Sequence, residues 1–245
     1  MLILTSKIIA LDTIEMKLRN AYISQTAVPG QFLHISIEGH MLRRPISIAN
    51  TDQEAKTTTI IFKIIGTGTA RLAQYQPGMV IDVLGPSGNG FNINQEEGST
   101  VLLIGGGVGV PPLHYLGKEL VRKNINVISV LGFQTARAVF YEKQFNQFSK
   151  TYITTNDGTS GKKGFVTDVL DYIEAFNCYY TCGPLPMLQA VTKQLSHKKG
   201  YISLEERMGC GVGACFACVI RTDDHGGYRK ICQNGPVFHA KEVQL

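Results

Sequence analysis

Four cysteines near the C-terminal end of the chain read Cys210-x4-Cys215-x2-Cys218-x13-Cys232, the spacing with which thiolates hold a [2Fe–2S] cluster. Such a cluster exchanges single electrons. Between the first three thiols the residues Gly211, Gly213, Ala214 and Ala217 are small. They let the backbone wrap an inorganic core, enter φ > 0 and aim N–H groups at sulfur. Zinc and disulfides are the competing uses of four cysteines. Structural zinc sites pair their ligands in separate C-x2-4-C knuckles, whereas here the two short gaps share Cys215 and the distant Cys232 closes the set. Disulfide frameworks suit short exported chains. The expected metal ligands are therefore Cys210, Cys215, Cys218 and Cys232.

Two glycine turns and one arginine could bind anions. Gly66-Thr67-Gly68-Thr69 follows a strand-like run and precedes a helix-like one, so its free N–H groups and the helix dipole favour an anion. The plainer alternative is an ordinary turn with Thr69 as the helix cap. Gly105-Gly-Gly-Val-Gly-Val-Pro-Pro112 lies between a buried strand and a helix, where a dinucleotide pyrophosphate can approach the backbone. It is not a clean G-x-G-x-x-G. Arg44-Pro45-Ile46-Ser47 sits on a strand, and an arginine fork matches phosphate, although a surface arginine at a strand end is equally ordinary. Glu205-Glu206-Arg207 reads as a solvated charge run. His34, His40, His114, His197, His225 and His239 lack ligand spacing and read as surface or structural groups. Nothing resembles a catalytic triad or a paired-carboxylate site.

The elements that must position these groups fall into three parts. With 245 residues the chain has room for two modest domains and a small appendage. The first ninety or so residues alternate apolar and polar at period two, as in Gln31–Ile37, Thr57–Ile65 and Met79–Leu84, with turn signals at Pro29-Gly30, Pro77-Gly78 and Gly85-Pro86. Many short strands with such turns predict a small antiparallel barrel. An apolar strand at Val101–Ile104, a helix to about Lys123 and a second apolar strand at Asn126–Leu131 then form a βαβ unit, which implies a parallel sheet. A further strand, Cys178–Thr181, ends in Cys182-Gly183-Pro184 and feeds a helix from Leu185 to Leu195. The last forty residues have too little apolar periodicity to fold alone and are expected to be organised by metal. Lys7 and Asp12 interrupt the only apolar stretch near the N-terminus, so no signal peptide is expected, and no stretch approaches a membrane span. With six cysteines and no export signal, the expected compartment is the cytoplasm. A net charge of +5 without a basic stripe argues against a nucleic-acid partner.

Arg44-x-x-Ser47 on a barrel strand, followed by a nucleotide-type βαβ unit, resembles the ferredoxin–NADP reductase superfamily. The resemblance implies that Arg44 binds the FAD pyrophosphate, that Ser47 hydrogen-bonds near the flavin ring, and that Pro45 and Ile46 lie along the same cofactor. It also makes Gly68 and Thr69 the second pyrophosphate clamp and sets Ile61, Phe62 and Lys63 along the adenine or ribitol side. Ile46 stands where the superfamily often has Tyr, so stacking on the flavin by an aromatic ring is not implied. Gly106, Gly107, Gly109 and Pro112 match the superfamily's G-G-x-G-x-x-P form for NAD, and Cys182-Gly183 matches the turn that sets a sulfur beside the nicotinamide, with Cys178 left to the core. The fold class implied is β plus α/β. Residues 1–97 would be an FAD-binding β-barrel domain, 98–203 a Rossmann-like NAD-binding domain, and 204–245 a [2Fe–2S] module.

The ending Leu204-Glu-Glu-Arg-Met-Gly-Cys-Gly-Val-Gly-Ala-Cys-Phe-Ala-Cys-Val219, with Cys232-Gln-Asn-Gly-Pro-Val-Phe238, closely resembles the dihydroorotate dehydrogenase B electron-transfer family. That family implies an FMN-containing catalytic partner subunit in a heterotetramer of two of each. Electrons would pass through the cluster and FAD to NAD as diffusible acceptor, in pyrimidine biosynthesis. Two alternatives remain open. One is an electron-transfer subunit of another NAD(P)H-linked enzyme, such as a bifurcating enzyme, a sulfide dehydrogenase or a hydrogenase. The other is a redox-sensing module.

Overall fold

A computed structural model describes residues 1–245. Strands β1 (Leu2–Ala10), β2 (Thr13–Arg19), β3 (Phe32–Ile35), β4 (Arg44–Asp52), β5 (Thr57–Lys63) and β6 (Val83–Ser87) form one antiparallel sheet in the order β1-β2-β5-β4-β3-β6. Period-two alternation turns Ile14, Met16 and Leu18 of β2 inward onto Leu33, Ile48, Ile60 and Phe62, while Lys17 and Arg19 face water. The sheet closes because Ile3 N–H donates to Met79 O (2.9 Å) and Ile81 N–H to Met1 O (2.8 Å). The apolar stretch near the N-terminus is thus the β1–β2 hairpin. The strand expected at Met79–Leu84 lies later in the chain, at Val83–Ser87. Gly85, expected at a turn, has a φ of +145° that lets the strand run on through Pro86.

The second sheet contains β7 (Thr100–Gly106), β8 (Asn126–Phe133), β9 (Lys150–Thr155), β10 (Lys162–Lys163), β11 (Cys178–Cys182) and β12 (Lys199–Ser203). Its order, β10-β9-β8-β7-β11-β12, is parallel throughout, and β7 is buried almost from end to end. The chain winds away from β7 in both directions, so the crevice beyond the carboxyl ends of β7 and β11 is the topological switch point at which such sheets bind ligands.

The tail is not free-standing. β13 (Val219–Arg221) and β14 (Tyr228–Lys230) make a hairpin, but β15 (Val237–His239) adds antiparallel to β12 and so extends the second sheet. Its apolar residues Leu204, Met208, Ile231 and Phe238 pack with Phe32 from the barrel, Leu188 from the helix Leu185–Gln194 and Ile202 from β12. The weak periodicity of the tail therefore reflects a core borrowed from both neighbours, and packing on them organises it.

His114, on the helix Val110–Arg122, lies 8% exposed in the barrel seam, with Tyr141, Phe145 and Phe148 around it and Ala49 O 3.4 Å from Nδ1. Burial lowers its pKa to about 4, against a smaller opposing pull from the Ala49 carbonyl. The unfolded chain, near 6.5, binds the proton first, so stability is complete above that pH and falls as pH drops toward 4. The expected loss is about 3 kcal/mol. Denaturant unfolding at pH 7 and pH 4.5 should show a smaller pH-dependent loss for His114→Gln than for the parent; identical losses would contradict the assignment.

Candidate functional site

The larger cleft, about 860 Å³, opens between β4, β5, the turn Ile65–Thr69 and the segment Leu204–Met208, within the roughly 300–1,000 Å³ usual for ligand pockets. Arg44, Pro45, Ile46, Ser47, Ile61, Phe62, Lys63, Gly68 and Thr69 all line it. A Cβ added to Gly68 would meet the Arg44 guanidinium at 2.6–2.8 Å. The missing side chain is what lets the arginine lie against the turn. The Thr69 hydroxyl accepts from the N–H groups of Ile65 (3.0 Å) and Gly66 (3.2 Å) and donates to Gly66 O (3.1 Å), so it shapes the turn. An arginine fork beside a glycine turn is a donor set suited to a pyrophosphate, and the residues fit FAD.

The second cleft, about 480 Å³, lies at the switch point and includes Gly106, Gly107, Gly132, Gln134, Thr154, Asn156 and Met187. Lys63 and Val108 line both clefts, which therefore adjoin. Gly109 and Pro112 do not line it, and Gly109 has another task. A Cβ there would stand 2.2 Å from Cys182 O, so the glycine lets the β7 turn close on the β11 turn. Gly183, at φ +158°, packs back against Gly106 N. Lys63 is the one charged residue in the lining, and Arg137 does not reach it.

Cys182 is fully buried and lines neither cleft. Burial, and next the charge of Glu205, hold its thiol well above the usual range, so it stays protonated. Glu205, Glu206 and Arg207 stay exposed, as expected of a charge run, and they also line the larger cleft. Glu205 keeps an exposed surface, and desolvation by the neighbouring protein raises its pKa. Their position between β12 and the first thiol is the signal in the sequence that sets them beside the cleft.

The four thiols meet in two pairs. Cys215 N–H donates to Cys210 Sγ (3.3 Å) and Cys210 N–H to Cys215 Sγ (3.5 Å), while Cys232 N–H donates to Cys218 Sγ (3.5 Å). Gly213 N–H reaches across to Cys232 Sγ at 3.2 Å. Two adjacent thiol pairs, wrapped by N–H donors aimed at sulfur, suit a centre with two irons. The backbone N–H groups of Val212 and Cys215 pull the Cys210 pKa down, toward the thiolate that metal needs. Lys230 Nζ steadies the wrapping loop through Gly213 O at 2.6 Å and lies 4.3 Å from the centre of the Phe216 ring.

A family model for the iron–sulfur cluster binding domain of dihydroorotate dehydrogenase B matches residues 205–244. The chain is 51% identical to the dihydroorotate dehydrogenase B (NAD(+)) electron transfer subunit of Bacillus cereus (strain G9842), covering 100% of this chain and 98% of that one. The subunit of the same name in Bacillus anthracis is 50% identical, with the same coverage. Among solved structures, an NADH-dependent reduced ferredoxin–NADP oxidoreductase, described for flavin-based electron bifurcation, superposes with a TM-score of 0.91 at 30% identity. That match covers 99% of this chain and 89% of the other. A ferredoxin NADP+ reductase from Neisseria gonorrhoeae shares the fold, with a TM-score of 0.67 at 16% identity over 80% of this chain and 89% of its own.

Proposed function

We propose, for a chain that belongs to the family of dihydroorotate dehydrogenase B electron transfer subunits, that it passes electrons from a dihydroorotate-oxidising partner to NAD. Three sites in a row carry this conclusion. The segment Leu204–Met208 that walls the larger cleft runs directly into Cys210, and the larger cleft shares Lys63 and Val108 with the smaller one. FAD in the larger cleft supplies the chemistry that joins a two-electron nicotinamide to a one-electron [2Fe–2S] cluster.

The chain's own residues bind and orient. Arg44 and the Gly68 turn hold the pyrophosphate, Ser47 and Lys63 border the ring-side part of the cleft, and Gly106 and Gly107 admit the nicotinamide dinucleotide. Cys210 with Cys215, and Cys218 with Cys232, hold the two irons. The protonated Cys182 thiol is buried and feels the charge of Glu205, which lines the larger cleft. With no cation but Lys63 in the nucleotide cleft, nothing there is dedicated to a 2′-phosphate, which favours NAD over NADP. No helix is long and apolar enough to cross a membrane, and we place the protein in the cytoplasm.

No group here is arranged to remove hydrogen across the carbon–carbon bond of dihydroorotate, so that site belongs to an FMN-containing catalytic subunit, in a heterotetramer of two of each. The module exposes Val212, Phe216, Val219 and Tyr228 around the thiols, a surface suited to a partner that must bring its flavin close to the cluster. Coexpression with such a subunit should yield a stable complex with dihydroorotate:NAD activity and a higher kcat/KM for NAD than for NADP. The isolated chain should not oxidise dihydroorotate. A second reading, service to a bifurcating partner, is favoured by the 0.91 superposition on the bifurcating relative; failure to associate with any dihydroorotate dehydrogenase subunit would shift the assignment there.

A further inference from the structure

β3 is buried on both faces. Leu33 and Ile35 enter the barrel core, while Phe32 enters the core of the cysteine-bearing tail. His34, two residues after Phe32, faces the same way. It is 0% exposed, and neither ring nitrogen has a hydrogen-bond partner. Its backbone pairs within the sheet, and its carbonyl also accepts from Arg43 at 3.3 Å. The ring lies directly under the thiol loop, since a Cβ on Gly211 would come within 2.2 Å of Nδ1 and 2.7 Å of Cε1. Gly211 adjoins Cys210, and the next two N–H groups, of Val212 and Gly213, point at Cys210 Sγ (3.5 Å) and Cys232 Sγ (3.2 Å). His34 does not line the flavin cleft.

A buried imidazole without a partner is a cost that an apolar side chain of similar size would avoid. Imidazole carries at least one N–H in either protonation state. The protein offers that N–H no acceptor, and the loop folded over the ring is the one whose own N–H groups are aimed at the thiol sulfurs. Resting on the cluster assignment above, we infer that His34 donates a ring N–H to a sulfur of the [2Fe–2S] cluster. It is a positioning residue supplied by the flavin barrel, and it adds to the loop N–H groups a donor from a different domain. Hydrogen bonds to sulfur stabilise the more negative, reduced cluster and so raise its potential.

The test uses the cluster-loaded protein, with iron and sulfide assayed first and histidine labelled with 15N. Hyperfine spectroscopy on the dithionite-reduced parent should show coupling to one histidine nitrogen, lost in His34→Leu. An electron paramagnetic resonance redox titration should place the midpoint of His34→Leu lower by a tenfold change in the reduction equilibrium, about 59 mV for one electron. His34→Gln keeps an N–H and should recover part of the shift. A loaded parent without histidine coupling overturns the inference even where His34→Leu fails to load, and leaves the cluster assignment intact. Unchanged coupling and midpoint in a loaded His34→Leu overturn it equally. Stoichiometric zinc in place of iron and sulfide would overturn both.

Discussion

Replacing Cys215 by Ala should abolish the iron–sulfur centre while leaving close to one FAD per chain. Cys215 belongs to one thiol pair and gives its own N–H to the other member of that pair, Cys210. A two-iron centre with one iron held by a single thiolate does not persist, so iron and sulfide should fall essentially to zero. The flavin should survive because Arg44, Ser47, Gly68 and Thr69 stand on barrel elements, and the tail stays docked through Phe32, Leu188 and Phe238. Metal binding is folding free energy for such a segment, so the melting midpoint should drop by several degrees, at about 2–4 °C per kcal/mol for a chain of this size. Loss of FAD together with the cluster would show that the wall at Leu204–Met208 depends on metal.

Gly68→Val should cost FAD affinity far more than it costs stability. The added side chain collides with the end of a flexible arginine rather than with backbone, so the barrel tolerates it by swinging Arg44 away. That removes one or two charge-assisted hydrogen bonds to the pyrophosphate, each worth about 1.5–3 kcal/mol, and should weaken binding about 10- to 100-fold or more. Arg44→Ala should weaken it by a similar factor. The double variant should be little worse than either single one, because both remove the same interaction. Fluorescence titration of FAD into the deflavinated proteins measures this, and fully additive losses would mean that Gly68 and Arg44 act separately.

Barrel, parallel sheet and thiol loop were legible because each announces itself locally, by period two in Thr57–Lys63, by an unbroken apolar run in Val101–Ile104, and by cysteine spacing. What escaped was set by contacts distant in sequence. The pattern of β15 does not reveal that it completes the second sheet, because its partner β12 lies across the whole thiol loop. Gly109 looked like a phosphate glycine, yet its lack of a side chain serves the approach of the Cys182 carbonyl. His34 sits in an ordinary alternating strand, and its isolation appears only when Gly211 folds over it. Glu205 reads as a surface charge and is exposed, but only the fold shows that the barrel supplies the opposite wall of a cleft beside it.

The central claim is a continuous electron path within this one chain, from nicotinamide through FAD to the cluster. Anaerobic titration of the isolated protein with NADH, followed by visible absorption and electron paramagnetic resonance, tests it most directly. Flavin bleaching should be accompanied by the signal of a reduced [2Fe–2S] cluster in the parent, and by bleaching alone in Cys215→Ala. A parent whose flavin bleaches while its intact cluster remains oxidised at every NADH concentration would contradict the account.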